Sequence, residues 1–511
     1  MTAENNERIA KNTIMLYIRM LCIMGVSLYT SRVVLQLLGV VDYGIYNVVG
    51  GIVAMFSFLS NSMANATQRF LSYELGKKSG GELQLVFSTS LNIHFIIGVV
   101  VLLLAEIIGV WFISHKVNIP PSRLHAAIWV FHCSILSFFV TILQTPYNAL
   151  IVAYERMNIY ALVSIIEATL KLSVVFMLYL IDFDKLTLYA TLMLIVTSLV
   201  AFIYWMYCSR KYKMCQYRFY WDKMQFQYMF SFAKWNLFGS IAWLLKGQGV
   251  NILLNLFFGT IVNAARGIAY QVSGSITTFM VNFQTAVNPQ IIKYYANDQI
   301  GNMLNLVFRS AKYSFYLILF LTIPVFLETS YILHVWLTVV PDYTVLFCRL
   351  ILLDVLLDSV SGPMMTAVQA TGKIKVYQIL VGSILLLNIP VSYLFFKSGF
   401  PPETAMCVSI ILTLFAIVAR LWILKKVLGC SMRLFFSSLF LCIGKVLILA
   451  PLLPILLYLV VEPGILRLFL VTFGSTISVC TIVYKLGMEN QERIFVKNRI
   501  REVLIKIKKH K

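Results

Sequence analysis

Long apolar runs recur along the whole chain, and they limit the fold more than any other feature of the sequence. A helix needs about 20 apolar residues to cross the hydrocarbon core of a bilayer, and roughly fourteen stretches reach that length. They lie near 13–38, 43–63, 86–113, 124–153, 158–181, 186–208, 229–258, 262–287, 309–336, 343–370, 374–397, 402–424, 434–461 and 464–486. The runs are continuously apolar. Barrel strands would alternate in segments of about ten residues, so helices are expected instead. Composition agrees: 60% of the 511 residues are hydrophobic and 12% are charged, against about 25% charged in a soluble domain. The expected class is an all-α polytopic membrane protein. The first run is much longer than a signal-peptide core and has no small-residue cleavage site, so it reads as a retained span.

The net charge of +21 would suggest nucleic acid in a soluble protein. In a membrane chain it reflects basic cytoplasmic loops facing anionic lipid headgroups, so no nucleic-acid partner is expected. Basic residues concentrate in alternate loops: Arg69, Lys77 and Lys78; Arg210, Lys211, Lys213, Arg218 and Lys223; Lys293, Arg309 and Lys312; Lys425, Lys426 and Arg433. The other loops hold Asp42, then Asp182, Asp184 and Lys185, then Lys397 and Glu403. Both termini are therefore expected in the cytoplasm. The basic tail places Ile500, Val503, Leu504 and Ile507 on one helical face, which suits an amphipathic helix on anionic lipid as well as a frayed tail. Nine cysteines lie singly without a CxxC, and the six histidines form no HExxH. Neither a disulfide framework nor a metal site is expected.

The chain also repeats itself. PYNALIVAYERMNIY, from Pro146, corresponds to PMMTAVQATGKIKVY, from Pro363. Ala153 then matches Ala370, Arg156 matches Lys373, Tyr160 matches Tyr377 and Trp205 matches Trp422. Earlier, LLGVVDYGIYNVVG lines up with FFGTIVNAARGIAYQVSG through Gly39 and Gly259, each marking a tight turn. Spans one to six and seven to twelve read as two copies of one unit in the same orientation, an arrangement found in transporters with a central cavity. The expected organisation is an N-terminal lobe over 1–225, a C-terminal lobe over 226–430, and two further spans with the basic tail over 431–511.

The stretch LLGVVDYGIYNVVGGIVAMFSFLSNSMANATQRF, the following YELGK and the repeated P…A…R/K…Y element resemble bacterial Wzx-type polysaccharide flippases. These belong to the multidrug/oligosaccharidyl-lipid/polysaccharide (MOP) exporter superfamily. The resemblance covers essentially the whole chain. It implies a MATE-like, V-shaped pair of six-helix lobes around a cavity that opens alternately to each side. It implies no enzymatic activity and no cofactor. The implied cargo is an undecaprenyl-pyrophosphate-linked oligosaccharide for surface polysaccharide such as O-antigen or lipopolysaccharide. The implied location is the bacterial inner membrane, with a polysaccharide polymerase and a chain-length regulator as further partners.

A charge at mid-bilayer costs about 2.5–3.5 kcal/mol on insertion scales and marks function when it faces a wet interior. The candidates are basic: Arg19 and Arg32 in span one, Lys246 in span seven and Arg266 in span eight. Arg and Lys form charge-assisted bonds with phosphate oxygens, as a pyrophosphate would require. Lys246, near mid-span, is the strongest candidate. Arg32 and Arg266 also suit snorkelling to the headgroups. Arg420 suits an inner anchor, and Lys171 suits an ion pair with Glu167 four residues earlier. Asp354, Asp358 and Glu106 are candidates for coupling to a proton or sodium gradient. The two aspartates also suit a structural pairing with Arg349 and nearby polar groups, the favoured reading for them.

The absence of a carboxylate from span one sets the chain apart from ion-coupled drug exporters of the same superfamily. A multidrug or lipid II exporter remains the nearest alternative. A membrane polysaccharide polymerase or ligase would need a large outer loop, and every outer loop here is short.

Overall fold

Backbone polar groups cannot stay unpaired in hydrocarbon, so each apolar segment has to close its hydrogen bonds within itself. The computed structural model describes residues 3–54, 56–77, 82–115, 119–212, 216–219, 222–337, 340–429, 439–490, 492–494 and 497. Among them every long element is a helix and no strand occurs. The first half holds α1 (Ala3–Ala54), α2 (Ser57–Gly76), α3 (Leu83–His115), α4 (Leu124–Ala153), α5 (Met157–Leu180) and α6 (Lys185–Lys211). There follow α7 (Lys223–Phe258), α8 (Thr260–Ala296), α9 (Ile300–Leu327), α10 (Thr329–Leu337), α11 (Thr344–Asp358) and α12 (Ser361–Ala370). The last are α13 (Lys375–Leu386), α14 (Asn388–Lys397), α15 (Thr404–Leu428), α16 (Leu441–Leu449), α17 (Leu452–Val460) and α18 (Ile465–Ile482). The proposed lipid-binding stretch around Ile500–Ile507 lies outside the described residues.

Among the described residues, eleven stretches are long and apolar enough to cross a membrane. Where described, the other three expected runs, 43–63, 262–287 and 343–370, are also largely helical but are more polar or broken. Span two begins in α1 beyond Gly39 and continues in α2, which carries Asn61, Asn65, Gln68 and Arg69. Span eight is α8, lined with Asn, Gln and Arg side chains. Span ten breaks between α11 and α12.

The turns of the sequence repeat recur in the backbone. Gly39 has φ 77° and Gly259 has φ 82°, a region that only glycine enters without strain. Gly39 thereby bends α1 between its first and second spans. At the α4–α5 turn, Glu155 has φ 58°, and its counterpart Gly372 has φ 75°. The prolines behave differently. Pro146 sits inside the continuous helix α4, whereas Pro363 lies in the first turn of α12, just after the break that ends α11.

By packing, the chain forms two units. One comprises Ile9–Ile241 with Ile292–Asp298, and the other comprises Met1–Arg8, Ala242–Ile291 and Gln299–Lys511. They are called the N-terminal and C-terminal units below. Packing thus divides the chain at Ile241/Ala242 within α7, and the boundary expected from the repeat, at 225/226, falls in the first turn of the same helix.

The N-terminal unit packs around Val49, Ala127, Val130, Phe131, Ile135 and Ala190. Gly109 on α3 lies directly beneath the Phe131 ring, where a side chain would collide. Its loops are tied by Arg123, whose Nε and Nη1 each donate at 2.8 Å to Asp42 and Asp184 respectively. Asp184 also caps α6 by accepting from the Thr187 amide at 3.1 Å. Burial alone would push the Asp184 carboxyl up, but the bonds from Arg123 and Thr187 hold it below the usual carboxylate range.

The C-terminal unit packs around Val250, Leu254, Ala265, Phe347, Ile351 and Met406. Helices α16–α18 are fastened into this unit. Arg467 donates to both carboxylate oxygens of Glu328, at 2.7 and 3.1 Å. Beyond α18, Glu492 accepts from Arg309 at 2.6 Å, from Lys312 at 2.9 Å and from the Glu489 amide at 2.8 Å. Elsewhere large apolar residues such as Ile107, Leu180, Leu256 and Leu459 stay exposed on helix faces. That is the surface a bilayer would solvate.

Candidate functional site

Two helices joined by a single glycine must run back along one another, so residues on their facing stripes meet. This is how α7 and α8 bring Lys246 and Arg266 into one place. The Arg266 Nη2 donates to the carbonyl of Gly247, the residue after Lys246, at 2.9 Å. Its guanidinium lies over the Tyr270 ring, 4.3 Å from the centroid, and its Nε is buried without a hydrogen-bond partner. Arg266 is only 7% exposed. It is therefore packed inside the unit and not on its surface.

The Lys246 ammonium stands 3.5 Å from Oδ2 of Asp354 on α11. That is an ion pair at the outer limit of hydrogen-bond length. Asp354 is bonded far more closely from α15: the Ser409 hydroxyl donates to Oδ2 at 2.7 Å and the Thr413 hydroxyl to Oδ1 at 2.6 Å. Ser409 and Thr413 are four residues apart, so one face of α15 presents both hydroxyls. Lys246, Arg266, Tyr270, Asp354, Asn388 and Ser409 line a small pocket closed by Val250, Ile351 and Met406. Its free space is close to that of one water molecule.

The other candidate residues lie elsewhere. Asp358, one turn beyond Asp354, faces Nη1 of Arg420 at 3.4 Å, and the Arg420 Nε donates to Tyr377 at 3.1 Å. Arg349 takes no part in the pairing expected with the two aspartates: it donates to the Phe326 carbonyl at 3.2 Å, because its side chain points to α9. Arg19 belongs to the N-terminal unit, where its Nε donates to Ser164 at 2.8 Å and its guanidinium lies 4.4 Å from the Tyr160 ring centroid. Arg32 is exposed on α1. Glu106, isolated among apolar residues in the sequence, meets Nδ1 of His132 on α4 at 3.0 Å. Lys171 donates to Glu167 at 2.6 Å, one turn away on the same helix.

The site thus unites three of the expected residues, Lys246, Arg266 and Asp354. It adds Tyr270, Asn388, Ser409 and Thr413, which hydropathy alone does not single out. The spacing of Ser409 and Thr413 in an otherwise apolar span was the readable signal. Chemically the pocket offers two cations against one carboxylate whose negative charge is already bonded by two hydroxyls. It suits an anion.

No protein-family model matches the chain, and no curated protein matches it. Solved structures do. The chain is similar to the outward-facing conformation of a multidrug resistance MATE family transporter of the MOP superfamily, with TM-score 0.72 and 15% identity over 84% of this chain and 97% of that one. It is similar to the same extent, TM-score 0.72 at 15% identity over 84% and 97%, to a MOP superfamily transporter from Pyrococcus furiosus described as having a binding pocket of reversed polarity that suggests a different function. A MATE transporter in the bent conformation gives TM-score 0.71 at 14% identity, over 84% of this chain and all of that one. The chain is a polytopic membrane protein with the all-helical fold of the MATE transporters of the MOP superfamily.

Proposed function

We propose that this protein is a flippase that moves an undecaprenyl-pyrophosphate-linked oligosaccharide across the bacterial inner membrane by alternating access, for surface polysaccharide synthesis. The observation that carries this reading is the pairing of Lys246 and Arg266 at one pocket within the membrane-spanning helices. Two cations kept at such depth need a use, because each is costly to insert. A diphosphate linkage supplies two negative charges and the oxygen acceptors that Lys and Arg bind. The sequence resemblance to Wzx-type flippases points the same way, and so does the lack of a carboxylate in span one. In this reading both termini face the cytoplasm, and a polymerase and a chain-length regulator act on the delivered units.

The test is a deletion strain. Undecaprenyl-linked repeat units should accumulate on the cytoplasmic leaflet, and wild-type protein should restore export. Lys246→Ala should abolish export at equal expression, while Lys246→Arg should retain part of it. Unchanged leaflet distribution with shortened polymer would instead identify a polymerase. Normal export by Lys246→Ala would remove Lys246 from the site.

A further inference from the structure

We infer that Asp354 is a built-in competitor of the transported anion: it holds Lys246 while the pocket is empty and gives it up to a diphosphate as Asp354 takes up a proton. This rests on the reading of the pocket as a diphosphate site. The geometry supplies the motive. The Lys246–Asp354 separation of 3.5 Å is long, whereas Ser409 and Thr413 bond both carboxylate oxygens at 2.7 and 2.6 Å. Lys246 can therefore leave without stranding the carboxylate, as the two hydroxyls still satisfy it. Asp354 and Lys246 are mostly buried, with side chains 20% and 14% exposed, so their charges are weakly screened.

Charge matching gives the direction. With Asp354 ionised, Lys246 and Arg266 leave the pocket one net positive charge. With Asp354 protonated the pocket carries two, matching the two negative charges of a diphosphate diester. The hydroxyls of Ser409 and Thr413 serve both states, since each can donate to a carboxylate or accept from a carboxylic acid.

The surroundings of Asp354 are specific. From α7 it meets Lys246, and from α8 Arg266 and Tyr270 share its pocket. From α15 come Ser409, Thr413 and, further along, Arg420, which acts on it through space. On α11 itself Asp358 faces Arg420, and Arg349 is turned to the Phe326 carbonyl of α9. Helix α10 meets α11 through the apolar cluster that contains Leu333.

The experiment uses the full chain in lipid nanodiscs and, as probe, farnesyl-diphospho-N-acetylglucosamine, a diphosphate diester that keeps two negative charges throughout, with binding measured calorimetrically between pH 5.5 and 8.5. Proton uptake is read from buffers of different ionisation enthalpy. Wild type should take up close to one proton per probe at the pH where Asp354 is ionised in the empty pocket. Its affinity should rise on acidification relative to Asp354→Asn, whose pocket has no carboxylate to protonate. Asp354→Asn should bind about tenfold more tightly at pH 8, equivalent to about 1.4 kcal/mol. Ser409→Ala, which removes one donor to the ionised carboxylate, should move the pH dependence upward and so checks the mechanism without touching either charge. Wild-type binding with no proton uptake, or uptake that persists in Asp354→Asn, overturns the inference and leaves the diphosphate site standing. Failure of wild type to bind the probe at any pH overturns both. If Asp354→Asn and Ser409→Ala both lose binding, Asp354 holds the pocket together and does not compete.

Discussion

Lys312 and Lys246 each meet a carboxylate on another segment of the C-terminal unit, yet the two pairs differ in every physical respect. Lys312 is 2.9 Å from Glu492, and both side chains are almost wholly buried, at 2% and 3% exposure. Glu492 also takes Arg309 and a backbone amide. Lys246 stands 3.5 Å from a carboxylate that two hydroxyls already bond, beside a second cation and a small space. A saturated buried pair cannot be opened cheaply and so fastens structure. A loose pair with alternative donors can exchange partners. The difference teaches that an intramembrane charge acquires a functional reading from how incompletely it is satisfied, not from depth alone.

The contrast is open to direct attack. Glu492→Ala removes the carboxylate that Lys312 and Arg309 share and should destabilise the protein by about 3–5 kcal/mol, seen as a large fall in Tm in detergent. Burial would raise the Glu492 carboxyl, but Arg309 and Lys312 outweigh it and hold the carboxyl below its ordinary value. The linkage then has a definite sign. Its stabilisation is complete above the unfolded carboxyl value of about 4.3 and fades as the pH falls through the lower folded value. Wild-type Tm should therefore drop more steeply below about pH 4 than that of Glu492→Gln, which has already lost the contribution. Arg309→Ala keeps the Lys312 bond and should cost less, about 1.5–3 kcal/mol, the scale of a hydrogen bond to a charged group. Lys246→Ala should change Tm least, by about 1 kcal/mol, while removing export. If Lys246→Ala destabilised as much as Glu492→Ala, the two pairs would be equivalent and the functional reading of Lys246 would fail.

The halves of the repeat show how far sequence reaches. Gly39 and Gly259 were recognisable as tight turns, and both have positive φ. Tyr160 and Tyr377 were recognisable as matched positions. Each is bonded by an arginine, but Arg19 reaches Tyr160 from α1, whereas Arg420 reaches Tyr377 from α15. Turn positions follow from local backbone chemistry, so the sequence displays them. Partners drawn from helices far apart in the chain do not follow from any local pattern.

The sequence by itself determined that this chain is a bundle of membrane helices, where most of them lie and where glycine turns join them. Hydrocarbon leaves an apolar segment almost no other way to satisfy its backbone. It also marked Lys246, Arg266 and Asp354 as charges needing an explanation. Tertiary structure alone decided which charges meet. It turned Arg349 away to a carbonyl, gave Asp358 to Arg420, and set Asp354 between Lys246 and the hydroxyls of Ser409 and Thr413. The physical reason is reach: an ion pair forms over a few ångströms, and which side chains come that close depends on the rotation and depth of whole helices, set by packing along their entire length.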